Sequence, residues 1–326
     1  MSNRILLRTL VICAVALSCA VSASADVTIK QKTTTKMMGG MVTMSGKSNV
    51  YISGDKQKTD QEMKTKMMMG KAPTTNTSYV MRLDKDLVWN IDHDRKAYTE
   101  LTFAQMKAMT ASAPQMGQMG GESGPPDAGD LEMGKPVVTV DRTGNEEKIK
   151  GYQCKEVILQ MTVHCKNKKT GDTGSYVVHD RMWLASDCPG REEYRAFGQK
   201  AAKKMGYGMG GGSAFAGFGI DPEAMWEKMS ELDGFPMRQK ISMVITGEIM
   251  QQGGPSGAEQ QEAMKQASKM MKGIFGGKKD KESDESGPGS DAMVEMTIEV
   301  ESVSTKGIDG GAFEIPEGYK KTAETK

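Results

Sequence analysis

The chain has 326 residues, 43 basic and 42 acidic side chains, and a formal net charge of +1 at neutral pH. This balance excludes the strongly basic surface of nucleic-acid-binding proteins and the charged footprint of a protein held electrostatically on a membrane. The length allows one large domain or two small ones.

The first 25 residues have the pattern of a signal peptide. Two arginines precede an apolar run over residues 10–21, and Ala23-Ser24-Ala25 supplies small residues before a cleavage point. The apolar run is shorter than the ~20 residues that a membrane-spanning helix needs. We therefore expect cleavage after Ala25 and a periplasmic or secreted mature chain without a transmembrane segment. An uncleaved anchor and lipid attachment at Cys19 are the alternatives.

The next part of the chain, up to residue 101, predicts a meander of antiparallel strands. Runs rich in Thr, Val and Tyr alternate with Gly, Asp and Pro turn signals. The predicted strands cover residues 27–36, 42–52, 56–69, 79–83, 87–91 and 97–101. Phe103, Met106 and Met109 then recur at helical spacing, which predicts a short amphipathic helix over residues 102–111.

The centre of the chain, residues 148–189, reads as a long β-hairpin with its turn near Thr170 and Gly171. A strand over residues 136–140 precedes it, followed by a turn at residues 142–145. Beyond the hairpin, the patterns predict helices over residues 190–205 and 223–232, then strands over residues 237–250 and 293–303. The last of these alternates Val, Met and Ile with Glu and Thr, as a half-buried strand does.

These elements predict a single domain over residues 26–326. It carries three low-complexity insertions at residues 112–134, 206–219 and 251–292, which are rich in Gly or polar residues. Strands occur at both ends and in the middle, with helices between them. The expected fold is therefore α+β, with one large, mainly antiparallel sheet and helices on one face.

Short motifs resemble the exported bacterial family of unknown function called DUF4412. They are Lys150-Gly151-Tyr152-Gln153-Cys154-Lys155, Trp183-Leu184-Ala185 followed by Cys188-Pro189-Gly190-Arg191-Glu192-Glu193, and Phe313-Glu314-Ile315-Pro316-Glu317-Gly318-Tyr319. The pattern is also similar to the LolA-like lipoprotein-carrier half-barrels of the periplasm. The resemblance implies a curved antiparallel sheet with helices against its concave face and a cavity for an apolar ligand. It supplies no catalytic residues.

Three cysteines remain after signal cleavage: Cys154, Cys165 and Cys188. An oxidising compartment favours one disulfide and one lone thiol. Folding the hairpin about its predicted turn brings Cys154 opposite position 188, so we expect a Cys154–Cys188 disulfide. Matching the apolar faces of the two strands requires a register one residue away, which a bulge would absorb. Cys154 and Cys165 would lie ~36 Å apart in one extended strand, beyond the reach of a disulfide.

Two metal hypotheses arise from the composition. In the apolar-matched register, His164 faces His179, but Cys165 points to the opposite face and no third ligand has suitable spacing, so no metal site and no cofactor are predicted there. The 29 methionines suggest a Cu(I)-binding protein, because thioethers bind Cu(I). They also suit an adaptable apolar surface, and compositional drift is a third explanation.

No nucleophile elbow or catalytic triad is evident, so we do not expect an enzyme. The expected function is that of a non-catalytic envelope protein that holds an apolar ligand or a protein segment in its half-barrel. Trp89, Tyr98, Trp183 and Trp226 are the predicted cavity residues. A methionine-rich Cu(I)-handling protein and a structural or interaction protein with disordered tethers are the alternatives. The expected partners are an apolar ligand or an envelope protein, and no nucleic acid.

Overall fold

The computed structural model describes residues 26–37, 40–67, 70–112, 131–205, 228–229, 231–248 and 292–322. The strands are β1 Val27–Met37, β2 Val42–Ser53, β3 Lys56–Met67, β4 Gly70–Lys71, β5 Thr75–Arg82, β6 Leu87–Asp92, β7 Ala97–Thr102, β8 Leu131–Met133, β9 Val137–Ile149, β10 Tyr152–Asn167, β11 Thr173–Ala185, β12 Phe235–Gly247, β13 Val294–Ser304 and β14 Lys320–Lys321. The helices are α1 Phe103–Ser112, α2 Arg191–Met205 and a 3-10 turn at Gly310–Phe313.

All these strands belong to one open, curled sheet. Its order is β14-β7-β6-β5-β3-β2-β1-β13-β12-β11-β10-β8, with β4 beside β3 and β9 beside β10. Within the described ranges every pairing is antiparallel except that of β14 with β7. The predicted α+β class with a mainly antiparallel sheet is therefore confirmed. β13 lies between β1 and β12, so it joins the N-terminal meander to the central hairpin.

The two sides of the sheet differ in what covers them. β1, β2 and β3 pair without a bulge, so Ile29 and Val50 stand side by side and point the same way. Both belong to the largest buried cluster, which also contains Phe103 of α1 and Phe197 of α2. We call this side the inner face and the opposite side the outer face. Both α-helices therefore pack on the inner face, as predicted.

Helix α2 crosses the sheet at the end where the β2–β3 and β5–β6 turns lie. Its Lys200 contacts Asp55 in the first turn at 2.6 Å, and its Lys204 contacts Asp86 in the second at 2.7 Å. Gly190 precedes the helix with a φ of +78°, and a side chain there would collide with Val27. A glycine is therefore required for the close approach of the helix to β1.

The C-terminal segment covers part of the outer face. Phe313 is 1% exposed and packs with Val80 of β5 and with Trp89 and Ile91 of β6. Buried Arg82 fixes the segment, because its guanidinium contacts Asp84 at 2.8 Å and Glu314 at 2.6 Å. The meander is thus sandwiched between α2 and residues 308–319.

The central hairpin exists, but its register differs from both predicted registers. Cys154 pairs with Ala185, and the pairing continues without a bulge to Lys166 opposite Thr173. His164 lies opposite Ser175 and His179 opposite Gln160. The predicted facing histidines and the bulge within the hairpin are therefore wrong.

The turn between β10 and β11 explains the shifted register. The side-chain oxygen of Asn167 accepts hydrogen bonds from the backbone N–H groups of Lys169 and Thr170. The backbone N–H of Asn167 bonds to the carbonyl of Asp172. This Asx-type turn centres the hairpin earlier than Gly171 and moves every pair along the strands.

Several predicted boundaries also need correction. Residues 142–145 lie inside β9 rather than in a turn, and the reversal occurs at Lys150 and Gly151, which both have positive φ. β8 falls within residues 112–134, which were expected to have no regular structure. The predicted helix over residues 223–232 lies mostly outside the described residues, as do residues 206–219 and nearly all of 251–292.

The sandwich predicts a large effect for Phe313→Ala. Removing this side chain leaves a cavity between the C-terminal segment and β5–β6, and the free energy of unfolding should fall by about 3–5 kcal/mol. Urea unfolding followed by tryptophan fluorescence measures it. Val137→Ala is the control, since Val137 is 53% exposed and should change stability by less than about 0.5 kcal/mol. Equal small effects of both substitutions would contradict the sandwich.

Candidate ligand-binding face

Three consecutive rows of residues cross the inner face on six neighbouring strands: β11, β12, β13, β1, β2 and β3. The registers of all five strand pairs are continuous here, so these residues point to the same side. The first row is Val178, Met243, Val294, Met37, Val42 and Met67; the second is Asp180, Ile241, Met296, Thr35, Met44 and Thr65; the third is Met182, Gln239, Ile298, Thr33, Gly46 and Met63. We call this set the inner-face rows.

Methionine dominates the inner-face rows. Seven of their residues are methionines: Met37, Met44, Met63, Met67, Met182, Met243 and Met296. Unbranched thioether side chains change shape at low cost and fit irregular apolar partners. The methionines of β11 and β12 are buried, those of β1 and β2 are half-buried, and Met67 is 50% exposed. The N-terminal half of the inner face therefore presents apolar surface that the fold does not fully cover.

Gly46 forms a depression in this surface. The thioether sulfur of Met63 packs directly over it, and a Cβ at this position would collide with that sulfur and with the carbonyl oxygen of Glu62. A glycine at a strand centre costs stability. Here it allows the side chain of Met63 to lie close to the backbone of β2.

Asp180 is the only charged residue of the inner-face rows. It is 1% exposed. Its Oδ2 accepts a hydrogen bond from Gln239 Nε2 at 2.6 Å, whereas its Oδ1 has no hydrogen-bond partner within the described part of the chain. Burial raises the pKa of Asp180 to about 7, and the bond from Gln239 opposes this rise only in part.

Helix α2 places one further ionisable group near Asp180. Burial raises the pKa of the Tyr194 phenol, and the charge of Asp180 raises it further. The ring of Tyr194 contacts Phe235 edge-on, with 5.1 Å between the ring centres. The surroundings of Asp180 on the inner face are thus an amide, a phenol and apolar side chains, and none of these neutralises its charge.

The outer face carries a polar pocket of ≈ 510 Å³. Its side chains include Lys30, Asn49 and Asp60 in one row and Lys47, Glu62 and Asn76 in the next. The mixed charges of this lining distinguish it from the inner-face rows. They give no single ligand chemistry.

A hydrogen-bonded chain runs beside this pocket. The Ser78 hydroxyl lies 2.5 Å from Asp60 Oδ1 and 2.5 Å from His93 Nε2, and His93 Nδ1 lies 2.9 Å from the Tyr319 hydroxyl. Serine stands between the acid and the imidazole, so the histidine is not held by the carboxylate as it is in a catalytic triad. Ser78 is also 2% exposed. This series of hydrogen bonds is best explained as a link between β5, β6 and the C-terminal segment.

The predicted aromatic residues do not form one site. Trp89 and Tyr98 lie on the outer face in the cluster under Phe313, and the indole N–H of Trp89 donates to Glu100 at 2.8 Å. Trp183 belongs instead to the largest buried cluster, and Arg238 lies over its ring at 5.3 Å from the ring centre. Trp226 lies outside the described residues.

The cysteines are buried thiols in the structure, so the predicted Cys154–Cys188 disulfide is not present in it. Both residues belong to the largest buried cluster. Burial first, and then the charges of Asp187 and Cys154, raise the pKa of Cys188 to about 11. Raised thiol pKa values disfavour the reactive thiolate. For the protein in an oxidising compartment the disulfide stays a prediction.

Across the described residues, no group of three or more His, Cys, Asp or Glu side chains is arranged to hold a metal ion. The same part of the chain contains no helix with the length and apolar character needed to cross a bilayer.

Two solved structures are similar to this chain. One is an outer membrane lipoprotein-sorting protein domain from Vibrio parahaemolyticus, 8% identical with a TM-score of 0.27, covering 89% of each chain. The other is a DUF1329 family protein from Desulfovibrio piger, 9% identical with a TM-score of 0.27, covering 92% of this chain and 94% of that one. These distant likenesses assign no ligand to the inner face. No family model and no curated protein matches, so membership of the DUF4412 family stays a prediction.

The raised pKa of Asp180 predicts an unusual dependence of the free energy of unfolding on pH. Its pKa in the folded chain lies above the ordinary value of 3.8, so the folded state binds the proton more tightly than the unfolded state. Its contribution is therefore most favourable below about pH 4 and declines by a few kcal/mol as the pH rises to about 7. Asp180→Asn removes this decline. Urea unfolding of both proteins from pH 4 to pH 8 tests it, and parallel pH curves would contradict the assignment.

The cysteine prediction is tested by alkylation. Protein exported to the periplasm, denatured without reductant and treated with iodoacetamide, should carry the label on Cys165 alone. Mass spectrometry of peptides locates the label. Labelling of all three cysteines would show that the Cys154–Cys188 disulfide does not form.

Proposed function

We propose that this protein is a non-catalytic binding protein of the bacterial envelope, and that it holds an apolar ligand on the inner face of its sheet. The observation that supports this most strongly is the placement of seven methionines on the three inner-face rows. A lipid-like chain is the ligand class that matches an extended, adaptable apolar surface. The predicted signal peptide would export the chain to the envelope.

The partial exposure of the rows supports the same proposal. A sheet face that served only as a core would be covered along its whole length, as it is beneath α2. On β1, β2 and β3 the inner-face methionines keep access to solvent, and Met67 is half-exposed. Exposed apolar surface on a folded chain commonly marks a place where a ligand or partner binds.

Cu(I) binding is the second candidate, because methionines on neighbouring strands bring thioethers near one another. Met44 and Met63 lie diagonally across the β2–β3 pair. Cu(I) titration under reducing conditions distinguishes the two functions. Binding tighter than micromolar favours metal handling, whereas the apolar-ligand proposal predicts none.

Replacing two half-buried methionines tests the apolar surface. Met44→Gln with Met63→Gln keeps side-chain length but adds a polar amide at the centre of the rows. The affinity for N-phenyl-1-naphthylamine, a neutral fluorescent apolar probe, should fall about tenfold, because each amide must be desolvated when the probe binds. Fluorescence titration measures the dissociation constant.

Met41→Gln is the matched control. Met41 precedes β2, lies outside the inner-face rows and is 39% exposed. The same chemical change there should leave probe binding within about twofold of the parent protein. If the control and the double variant lose affinity equally, or if neither loses any, the inner face is not the binding surface.

A further inference from the structure

The structure points to a specific polar requirement in the ligand. Resting on the proposed function, we propose that the inner face binds an amphiphile with a primary ammonium group, and that Oδ1 of Asp180 accepts a hydrogen bond from that group. The apolar chain of the amphiphile would lie along the methionines of the second row.

The unmet hydrogen-bonding capacity of Asp180 is the first reason. A buried polar atom without a partner is unfavourable, and buried polar groups in native proteins are nearly always satisfied. Oδ2 is satisfied by Gln239, but Oδ1 has no partner among the residues that the structure describes. A ligand that donates a hydrogen bond at this position would recover that cost.

The isolation of the charge is the second reason. The neighbours of Asp180 in its row and on the adjacent strands are Leu159, Ile241 and Met296. The groups that face it from other elements are Gln239 of β12 and the phenol of Tyr194 on α2. His179 and Arg181 alternate with Asp180 along β11 and point to the outer face. A cation on the ligand would therefore be the counter-charge that the described part of this face lacks.

These two requirements select a cationic headgroup with N–H donors, and a primary ammonium is the simplest such group. A carboxylate would be repelled, and a hydroxyl would donate a hydrogen bond but leave the charge uncompensated. A quaternary ammonium would compensate the charge but has no N–H to donate. A protonated amine with N–H groups does both.

The dimensions of the face agree with a long apolar chain. β2 is four strand positions from β11, so Met44 lies ~19 Å from Asp180 along the curled sheet. Asp180 is enclosed in the structure, and binding requires the side chains around it to rearrange. Met182 and Met296 are its methionine neighbours, and such flexible side chains can move without a change of backbone.

Dodecylamine and dodecanol are the test probes, since they share one chain and differ in the headgroup. Each displaces N-phenyl-1-naphthylamine in a competition titration below its aggregation concentration. At about pH 8 the protein should bind dodecylamine about tenfold more tightly than dodecanol. Asp180→Asn should abolish that preference.

The pH dependence gives an independent readout. The ammonium stays protonated up to about pH 10, whereas Asp180 becomes neutral as the pH falls through about 7. The preference for dodecylamine should therefore disappear at about pH 5.5 in the parent protein. Glu299→Gln removes an exposed carboxylate of the outer face and should keep the preference at pH 8.

The outcomes separate the two proposals. A preference for dodecylamine that survives Asp180→Asn, or that Glu299→Gln also removes, overturns the role of Asp180 while the apolar face stands. Equal affinity of the parent protein for both probes at pH 8 likewise overturns the role of Asp180 and leaves the apolar face standing. If neither probe displaces the dye from the parent protein, both the proposed function and this inference fail.

Discussion

The continuous register from β11 to β3 is the constraint on which the rest of the structure depends. Side chains alternate between the two faces of a strand, so a slip of one residue in any of the five pairs would turn the methionines of the strands beyond it to the outer face. The register shifts within these six strands lie outside the inner-face rows, between Trp183 and Leu184 and between Lys30 and Gln31. The pairing thus stays regular where the methionines lie.

The contacts that stabilise the fold lie away from the middle of the inner face. At the α2 end, Phe197 and Phe235 close the core, and on the outer face the C-terminal segment is fixed by Arg82. These contacts hold the fold without the middle of the inner face. The sheet can therefore tolerate there a buried carboxylate with an unmet oxygen and a strand glycine, both of which are unfavourable in a core. Local choices that cost stability are typical of positions kept for another purpose.

Much of the fold can be predicted from the sequence because its signals are local. The alternation in β13 and the charges at the two ends of α2 lie within single elements, and both elements form where they were predicted. The hairpin register could not be predicted, because it depends on the side chain of Asn167 capping its own turn. The methionine face could not be predicted either. Met37 and Met296 are far apart in sequence and become neighbours only because β13 inserts between β1 and β12.

Native mass spectrometry of the protein released from the envelope without detergent tests the central claim most directly. The binding of an apolar ligand on the inner face predicts a non-covalent adduct that organic solvent extracts. The adduct should be lost in the protein with Met44→Gln and Met63→Gln and retained in the protein with Met41→Gln. A mass equal to that of the bare chain in every preparation, with nothing apolar in the extract, would contradict the claim.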